Sequence, residues 1–93
     1  MANSDIPTPA SKVLIQSTTG GITFIHGDYT SIASLVPTDE DYTWYLFGLL
    51  PGSADVRLCG VDVSGKRVLC ITSSGTSKTM QCTASWLGIK KTL

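Results

Sequence analysis

Residues 56–86 constrain the fold of this chain most strongly, because apolar alternation and turn residues agree over their whole length. Two segments rich in β-branched residues, 56–63 and 67–72, lie on either side of Ser64-Gly65. β-Branched residues favour strands, and a short Gly-containing connection is typical of a hairpin. The pattern therefore predicts an antiparallel hairpin with a two-residue loop.

That loop also predicts the register, in which three pairs of residues face each other: Asp62 with Arg67, Val61 with Val68, and Cys59 with Cys70. A cross-strand ion pair and a β-branched pair each stabilise a ladder by roughly 0.2–1 kcal/mol. The turn at 73–77 leads to a third predicted strand at 78–83, which extends the hairpin to a meander. Apolar residues fall on both faces of this sheet, so both faces need cover.

A further hairpin is predicted nearer the N-terminus. Segments 12–17 and 22–26 have the composition of strands, and the residues between them end in Gly20-Gly21. Paired glycines supply the positive φ angles that tight turns require. We therefore expect two short strands joined by a turn at 18–21.

Segment 38–50 is open to two interpretations. Thr38 can cap a helix whose first turn carries Asp39-Glu40-Asp41 and which ends at Pro51-Gly52. The aromatic and β-branched residues that follow the acids favour a strand instead, and the run has no polar helical face. We expect a short helix or helical turn at 38–42, and an aromatic run that is buried in either form.

Length and composition restrict the fold class. A chain of 93 residues forms one domain, and its charged content of 15% is low for a globular protein. Residues 1–11 contain Pro7, Pro9 and almost no apolar side chains, so they should form an extended N-terminal arm ahead of a compact domain at 12–93. The expected fold is mainly β: a small antiparallel β-sandwich or barrel-like domain with at most one short helix.

The formal net charge is zero, which argues against a nucleic-acid partner and a membrane-surface partner, because both usually require a basic excess. Residues 1–55 carry one lysine and six acidic residues, whereas residues 56–93 carry six basic residues and one aspartate. The two parts thus have formal charges of −5 and +5. They either neutralise each other within one fold or form complementary head-to-tail surfaces between copies.

No catalytic set, metal site or cofactor is predicted. His26 is the sole histidine, and nothing in its spacing to the cysteines supports a thiol nucleophile with His26 as base. Cys59, Cys70 and Cys82 could line up across adjacent strands, but they lack the tight spacing and fourth ligand of a structural zinc site. The acids Asp39-Glu40-Asp41 do not converge on one cation without further ligands. We expect a protein that is not an enzyme.

The cysteines also bear on localisation. Their number is odd, and the first residues show no basic segment followed by an apolar one, so a secreted disulfide framework does not fit. We expect free, mostly buried thiols at Cys59, Cys70 and Cys82. No window approaches the ~18 apolar residues of a membrane span. The chain is therefore expected to be neither secreted nor embedded in a membrane.

The aromatic residues point to protein contacts. The run from Trp44 to Phe47 has no interleaved Lys or Arg, so it lacks the electrostatic footprint of a base-stacking site. Such residues belong to a core or anchor a protein interface. The predicted interface residues, from the arm and the body, are Ile6, Pro7, Pro9, Trp44, Tyr45, Phe47 and Trp86.

In layout, the arm Ser4-Asp5-Ile6-Pro7-Thr8-Pro9 stands ahead of a Thr- and Gly-rich β body. With this layout the sequence resembles the small head decoration, or cement, proteins of tailed phages. The resemblance implies a virion subunit that binds the outside of a capsid lattice through its arm and a surface of its body. It implies capsid protein and copies of the same chain as partners, in a homo-oligomer or a lattice-bound form.

A second class of function stays open. A small cytoplasmic inhibitor or adaptor can bind a host protein by surface complementarity, and its mark would be a face of one charge sign. The charge distribution offers such a face only if the two parts of the chain separate in space.

Overall fold

The computed structural model describes residues 12–91, which form six strands and one 3-10 helix. The elements are, in chain order, β1 (Val13–Phe24), β2 (Asp28–Ser31), the 3-10 helix (Ala33–Leu35), β3 (Tyr42–Pro51), β4 (Val56–Asp62), β5 (Arg67–Thr72) and β6 (Lys78–Lys90). The predicted arm at 1–11 lies outside the described residues.

Two antiparallel three-stranded sheets pack face to face. The first sheet has the order β1-β6-β3 and the second sheet the order β2-β5-β4. Only β4 and β5 are consecutive neighbours within a sheet, since every other connection carries the chain from one sheet to the other. The expectation of a mainly β antiparallel sandwich is confirmed.

The core lies between the sheets and centres on β6. Alternate residues of β6 are buried: Cys82, Ala84, Trp86 and Gly88. Trp86 is 0% exposed, and its indole N–H donates to the Thr18 hydroxyl at 2.8 Å. The Thr18 hydroxyl in turn donates to the Leu35 carbonyl. A buried indole donor thus has a partner, which avoids the cost of an unsatisfied polar group.

The predicted N-terminal hairpin is wrong, because residues 13–24 form one continuous strand that pairs with β6 along its whole length. Among the described glycines, positive φ angles occur at Gly27 and Gly75 and not at Gly20. A Cβ at Gly20 would lie 2.6 Å from Leu35 Cδ2. The glycine is therefore explained by close packing of the 3-10 helix on β1 and not by a turn.

Of the expected short helix or helical turn at 38–42, the helix is wrong, and residues 40–41 form a turn. The residues before β3 form a turn in which the Asp39 carboxylate accepts from the Asp41 amide at 2.9 Å, and the Asp39 carbonyl accepts from the Trp44 indole at 2.8 Å. From Tyr42 on, burial alternates with the period of a strand. Strand propensity outweighed the capping signal. Phe47 is 52% exposed, so the aromatic run is not wholly buried.

The β4–β5 hairpin confirms part of the predicted register. Asp62 faces Arg67 with an ion pair at 2.9 Å, and Val61 faces Val68. The loop is longer than predicted, because residues 63–66 all lie in the turn. A β-bulge between Leu58 and Gly60 then places Leu58 opposite Cys70, so Cys59 does not face Cys70 as expected. Bulges are common on edge strands such as β4.

The predicted meander is wrong as well. Segment 78–83 is the first half of β6, which lies in the first sheet and not beside β5. After Thr72 the turn with Gly75 at φ 75° carries the chain across to the other layer. In the first sheet, β6 pairs with β1 on one side and with β3 on the other, and its alternate residues are buried against the second sheet.

Gly88 supports a packing prediction. A Cβ at this position would lie 2.5–2.8 Å from three ring atoms of the buried Trp44 indole. We expect Gly88→Ala to lower the free energy of unfolding by about 1–3 kcal/mol, because the core must shift to admit the methyl group. Gly21→Ala is the matched control, since its Cβ would meet nothing nearer than the Gln81 amide at 3.6 Å. Urea unfolding measures both; equal losses would contradict this explanation.

The Asp62 carboxylate supports a pH prediction. It accepts from the Gly65 amide and from Arg67, both at 2.9 Å, and these bonds hold the pKa of Asp62 below its ordinary value of 3.8. The folded state therefore binds fewer protons here than the unfolded state, so the stabilisation is present above that value and is lost as the pH falls through the folded pKa. The Gly65 amide resonance should titrate with a midpoint below 3.8 and should not show this titration in Asp62→Asn. A midpoint above that value would contradict the prediction.

Candidate interaction surface

The first sheet has one side turned away from the second sheet, and we call this side the outer face. Strand alternation and the β1-β6-β3 register assign sixteen residues to it. None of them is charged. They are Val13, Ile15, Ser17, Thr19, Gly21 and Thr23 of β1; Thr43, Tyr45, Gly48 and Leu50 of β3; and Thr79, Gln81, Thr83, Ser85, Leu87 and Ile89 of β6.

One end of the outer face is apolar. Cross-strand pairing aligns Ile15 with Leu87 and Tyr45, and the neighbouring row aligns Val13 with Ile89. These five residues are named the apolar patch. Ile15 is 68% exposed and Val13 51% exposed, values typical of side chains that nothing in the described part of the chain covers. Contiguous exposed apolar residues mark surfaces for protein contact.

Two more apolar side chains continue the outer side along β3. Phe47 lies at the bulge between Leu46 and Gly48 and is 52% exposed, and Leu50 is 72% exposed. The bulge adds one residue to β3 and leaves it without a partner on β6. Phe47 thereby presents an aromatic ring at the edge of the sheet.

The other end of the outer face carries hydroxyl groups that satisfy one another. Thr19 and Thr83 are hydrogen-bonded across β1 and β6 at 3.1 Å, and Thr23 and Thr79 at 2.7 Å. Hydroxyls that already have partners cost less to remove from water than free ones. Covering these four threonines would therefore leave each hydroxyl with a hydrogen-bond partner.

The second sheet presents a different outer side. Arg67 pairs with Asp62 and lies over the Tyr29 ring at 4.4 Å, while Arg57 projects from the edge strand β4. Charged side chains are thus present on the outside of the second sheet and absent from the outer face of the first. The two sides of the sandwich therefore differ in charge.

The acidic and basic parts of the chain meet at one end of the sandwich. Lys90 lies 3.9 Å from the Asp41 carboxylate, and the Lys91 amide donates to the Asp41 carbonyl. Asp39 and Glu40 line one open depression together with Lys66 and Lys91. At this end of the fold, side chains of opposite charge from the two parts therefore lie close together.

The sequence-predicted interface residues fall in three places. Trp44 is 4% exposed and Trp86 0%, so both belong to the core of this chain in place of a contact surface. Tyr45 lies on the outer face, and Phe47 is exposed at its edge. The arm residues Ile6, Pro7 and Pro9 lie outside the described residues, and their role stays a prediction.

Four residues of the apolar patch were missed from the sequence: Val13, Ile15, Leu87 and Ile89. No local signal marked them, because Val13, Leu14 and Ile15 are all apolar and show no alternation that separates the outward side chains from the inward one. Without the pairing to β6, the outward direction of these side chains could not be assigned.

The reactive side chains of the described region have structural roles. His26 Nδ1 accepts from the Thr72 amide at 2.9 Å and so anchors the β1–β2 loop. Burial raises the pKa of the Cys70 and Cys82 thiols, which keeps them protonated, and Cys59 is exposed. The expectation of free thiols that are mostly buried matches the described cysteines. Cys82 lies in the first sheet and the other two in the second, so they do not line up across adjacent strands.

No group of three or more metal-ligating side chains converges within residues 12–91. In the same range no helix is long and apolar enough to cross a membrane. Comparison of the chain with protein-family models, with curated proteins and with solved structures gives no match. The function is therefore argued from the outer face itself.

Core and surface aromatics lead to a mutational prediction. We expect Trp86→Ala to lower the free energy of unfolding by about 3–5 kcal/mol, because it empties the centre of the core. Phe47→Ala, at an exposed position, should change it by no more than about 0.5 kcal/mol. Chemical denaturation of both variants provides the measurement. A destabilising Phe47→Ala of the same size would mean that Phe47 packs within the chain and is not available to a partner.

Proposed function

We propose that this chain is a non-catalytic structural subunit that binds a protein surface of a larger assembly through its outer face. The observation that carries this proposal is the absence of charge from all sixteen outward residues of the first sheet. The centres of protein interfaces are depleted in charged residues in the same way, because each buried charge must be desolvated.

The apolar patch supplies the driving force for this contact. Removing exposed apolar area from water contributes roughly 25 cal/mol per Å² before the costs of association are subtracted. Tyr45 and Phe47 add aromatic rings, which lose little side-chain entropy on binding and often anchor interfaces. At the other end of the face, two threonine pairs add hydroxyl groups that already have partners.

The partner is proposed to be the protein shell of a virus particle, in line with the resemblance to phage head decoration proteins. The position of the arm supports this combination. In sequence, the predicted arm is followed by Lys12 and then by Val13, which begins β1 and belongs to the apolar patch. On this proposal the arm and the patch contact the same neighbouring subunit. On this proposal the chain is located in the virion.

The inhibitor or adaptor alternative is less well supported. It would require a face with one charge sign, but Asp39, Glu40 and Asp41 share one end of the fold with Lys90 and Lys91. An electrostatically steered inhibitor has no such face among the described residues. We therefore retain the assembly subunit as the proposed function.

Two tyrosines provide a matched test of the contact surface. Tyr45 lies on the outer face, and Tyr29 lies on the outside of the second sheet. Each is replaced by the photo-crosslinking residue p-benzoylphenylalanine, and the chain is irradiated where it is naturally produced. We expect the Tyr45 variant to crosslink to a shell protein of an assembled particle and the Tyr29 variant to give no such product.

The opposite results have defined meanings. Crosslinks from Tyr29 alone would place the contact on the second sheet and refute the role of the outer face. A Tyr45 crosslink to a single soluble host protein, with the chain absent from any particle, would replace the assembly proposal by the inhibitor or adaptor.

A further inference from the structure

The four edge strands of the sandwich differ in how they resist pairing. An exposed edge offers free N–H and C=O groups to another strand, and proteins usually block it by shortness, proline, bulges or charge. β2 has only four residues, β3 has a bulge and ends at Pro51, and β4 has a bulge and carries Arg57 and Asp62. β1 is twelve residues long with no charge, no proline and no bulge in its pairing with β6. Among the edge strands formed by residues 12–91, β1 is the one without any of these obstacles.

The backbone groups that β1 offers can be identified from its register. The Lys90 amide donates to the Lys12 carbonyl at 2.8 Å, so residues 12 and 90 form a hydrogen-bonded pair in the antiparallel ladder. Such pairs alternate along a ladder, and the β1–β6 register has no shift. Even-numbered residues of β1 therefore bond to β6. The N–H and C=O groups that point to the open edge belong to Val13, Ile15, Ser17, Thr19, Gly21 and Thr23.

We infer that this edge pairs with the same edge of a second copy of the chain. Two β1 strands run antiparallel about a two-fold axis, and the two first sheets join into one six-stranded sheet with both outer faces on the same side. This pairing uses the edge of the sheet and goes beyond the proposed function, which uses its face.

The alternation of free backbone groups along β1 restricts the register of such a pair. Because odd residues carry the free groups, odd residues must face odd residues of the second copy. The register with Thr18 on the two-fold axis places Val13 opposite Thr23, Ile15 opposite Gly21 and Ser17 opposite Thr19, so all six residues of each strand pair. Each facing pair exchanges two backbone bonds, which gives twelve bonds in the dimer.

The side chains fit this register. Ile15 is 68% exposed and comes to lie over Gly21 of the second copy, where the nearest atom to an added Cβ is the Gln81 amide at 3.6 Å. The small residue leaves room for the large one on the same face. Ser17 and Thr19 can bond across the new pair, as Thr19 and Thr83 already do within the chain.

Charge neutrality argues for a second copy as the occupant. In a symmetric antiparallel pair, the residues next to the two-fold axis lie close to their own copies, so a charge near Thr18 would meet the same charge on the second strand. The twelve residues of β1 carry none, although the chain has fourteen charged residues. A charged strand from another protein would find no complementary group here. The chain's own N-terminal segment has Pro7 and Pro9, each of which lacks an N–H to donate.

The test measures native mass and amide hydrogen exchange of the full chain over a range of concentrations. We expect a dimer at high concentration. The amides of Val13, Ile15, Ser17, Thr19, Gly21 and Thr23 should gain protection as the dimer forms, while the even-numbered amides of β1 stay protected throughout and serve as the internal control.

Two substitutions at one site isolate the backbone contribution. Ser17→Pro removes an N–H that points to the open edge and leaves the bonds to β6 in place, whereas Ser17→Ala keeps that N–H. We expect Ser17→Pro to raise the dimer Kd about tenfold or more and Ser17→Ala to leave it nearly unchanged. Ser17→Lys, which keeps the N–H but places two like charges near the axis, should also weaken the dimer. Circular dichroism checks that each variant is folded.

Three results would overturn the inference. The first is a monomer at all concentrations with fast exchange at the odd-numbered amides. The second is protection of those amides that does not depend on concentration in a monomer, which would assign the edge to the chain's own N-terminal segment. The third is a dimer that a folded Ser17→Pro variant and the Ser17→Lys variant both leave intact. The crosslinking test with Tyr45 and Tyr29 does not decide any of these three results. The β1 pairing can therefore be refuted without refuting the proposed function, and the reverse also holds.

Discussion

The hydrogen bond from the Trp86 indole to the Thr18 hydroxyl favours one register and one orientation of β1 against β6. Trp86 sits on the central strand with no exposed surface, and its N–H has to find an acceptor inside the core. The Thr18 hydroxyl is this acceptor, and it donates a second hydrogen bond to the Leu35 carbonyl. One hydroxyl therefore links β6, β1 and the 3-10 helix. A slip of β1 by one residue would turn Thr18 outward and leave the indole without its acceptor.

The same bond decides which residues reach the surface. With Thr18 facing the core, every odd-numbered residue of β1 faces outward, and these residues include Val13 and Ile15 of the apolar patch. The parity of the ladder also directs their N–H and C=O groups to the open edge. The outer face and the free edge are therefore two consequences of one core arrangement, and a sequence that satisfies the indole produces both.

Local signals and long-range pairing explain what could be predicted from the sequence. The contacts of Asp62 with Arg67 and of Val61 with Val68 lie within one hairpin, where alternation and turn residues are sufficient. The pairing of β1 with β6 joins Val13 to Ile89, and no local pattern encodes a contact across that separation. The turn predicted at Gly20 was wrong because the sequence alone does not distinguish a glycine needed for close packing on Leu35 from a glycine needed for a turn.

The candidate surface was predictable only where a residue type alone indicates contact. Tyr45 and Phe47 were identified as aromatic anchors, and they lie on or beside the outer face. Trp44 and Trp86 were identified by the same reasoning but lie in the core, since aromatic size gives no information on which side of a strand a residue faces. Ile15 and Leu87 carry no chemical signal that separates them from core residues, and only their neighbours on the adjacent strand identify them as exposed.

The separation of charge from the first sheet has a consequence for how the chain associates. Opposite charges of its two parts meet at one end of the fold, where Lys90 lies 3.9 Å from the Asp41 carboxylate. Contacts through the outer face and through β1 depend on apolar burial and backbone hydrogen bonds. Added salt screens charge pairs and leaves these two contributions largely intact. We therefore expect assembly by the two proposed surfaces to stay stable as ionic strength changes, whereas association by complementary charged parts would weaken as salt is raised.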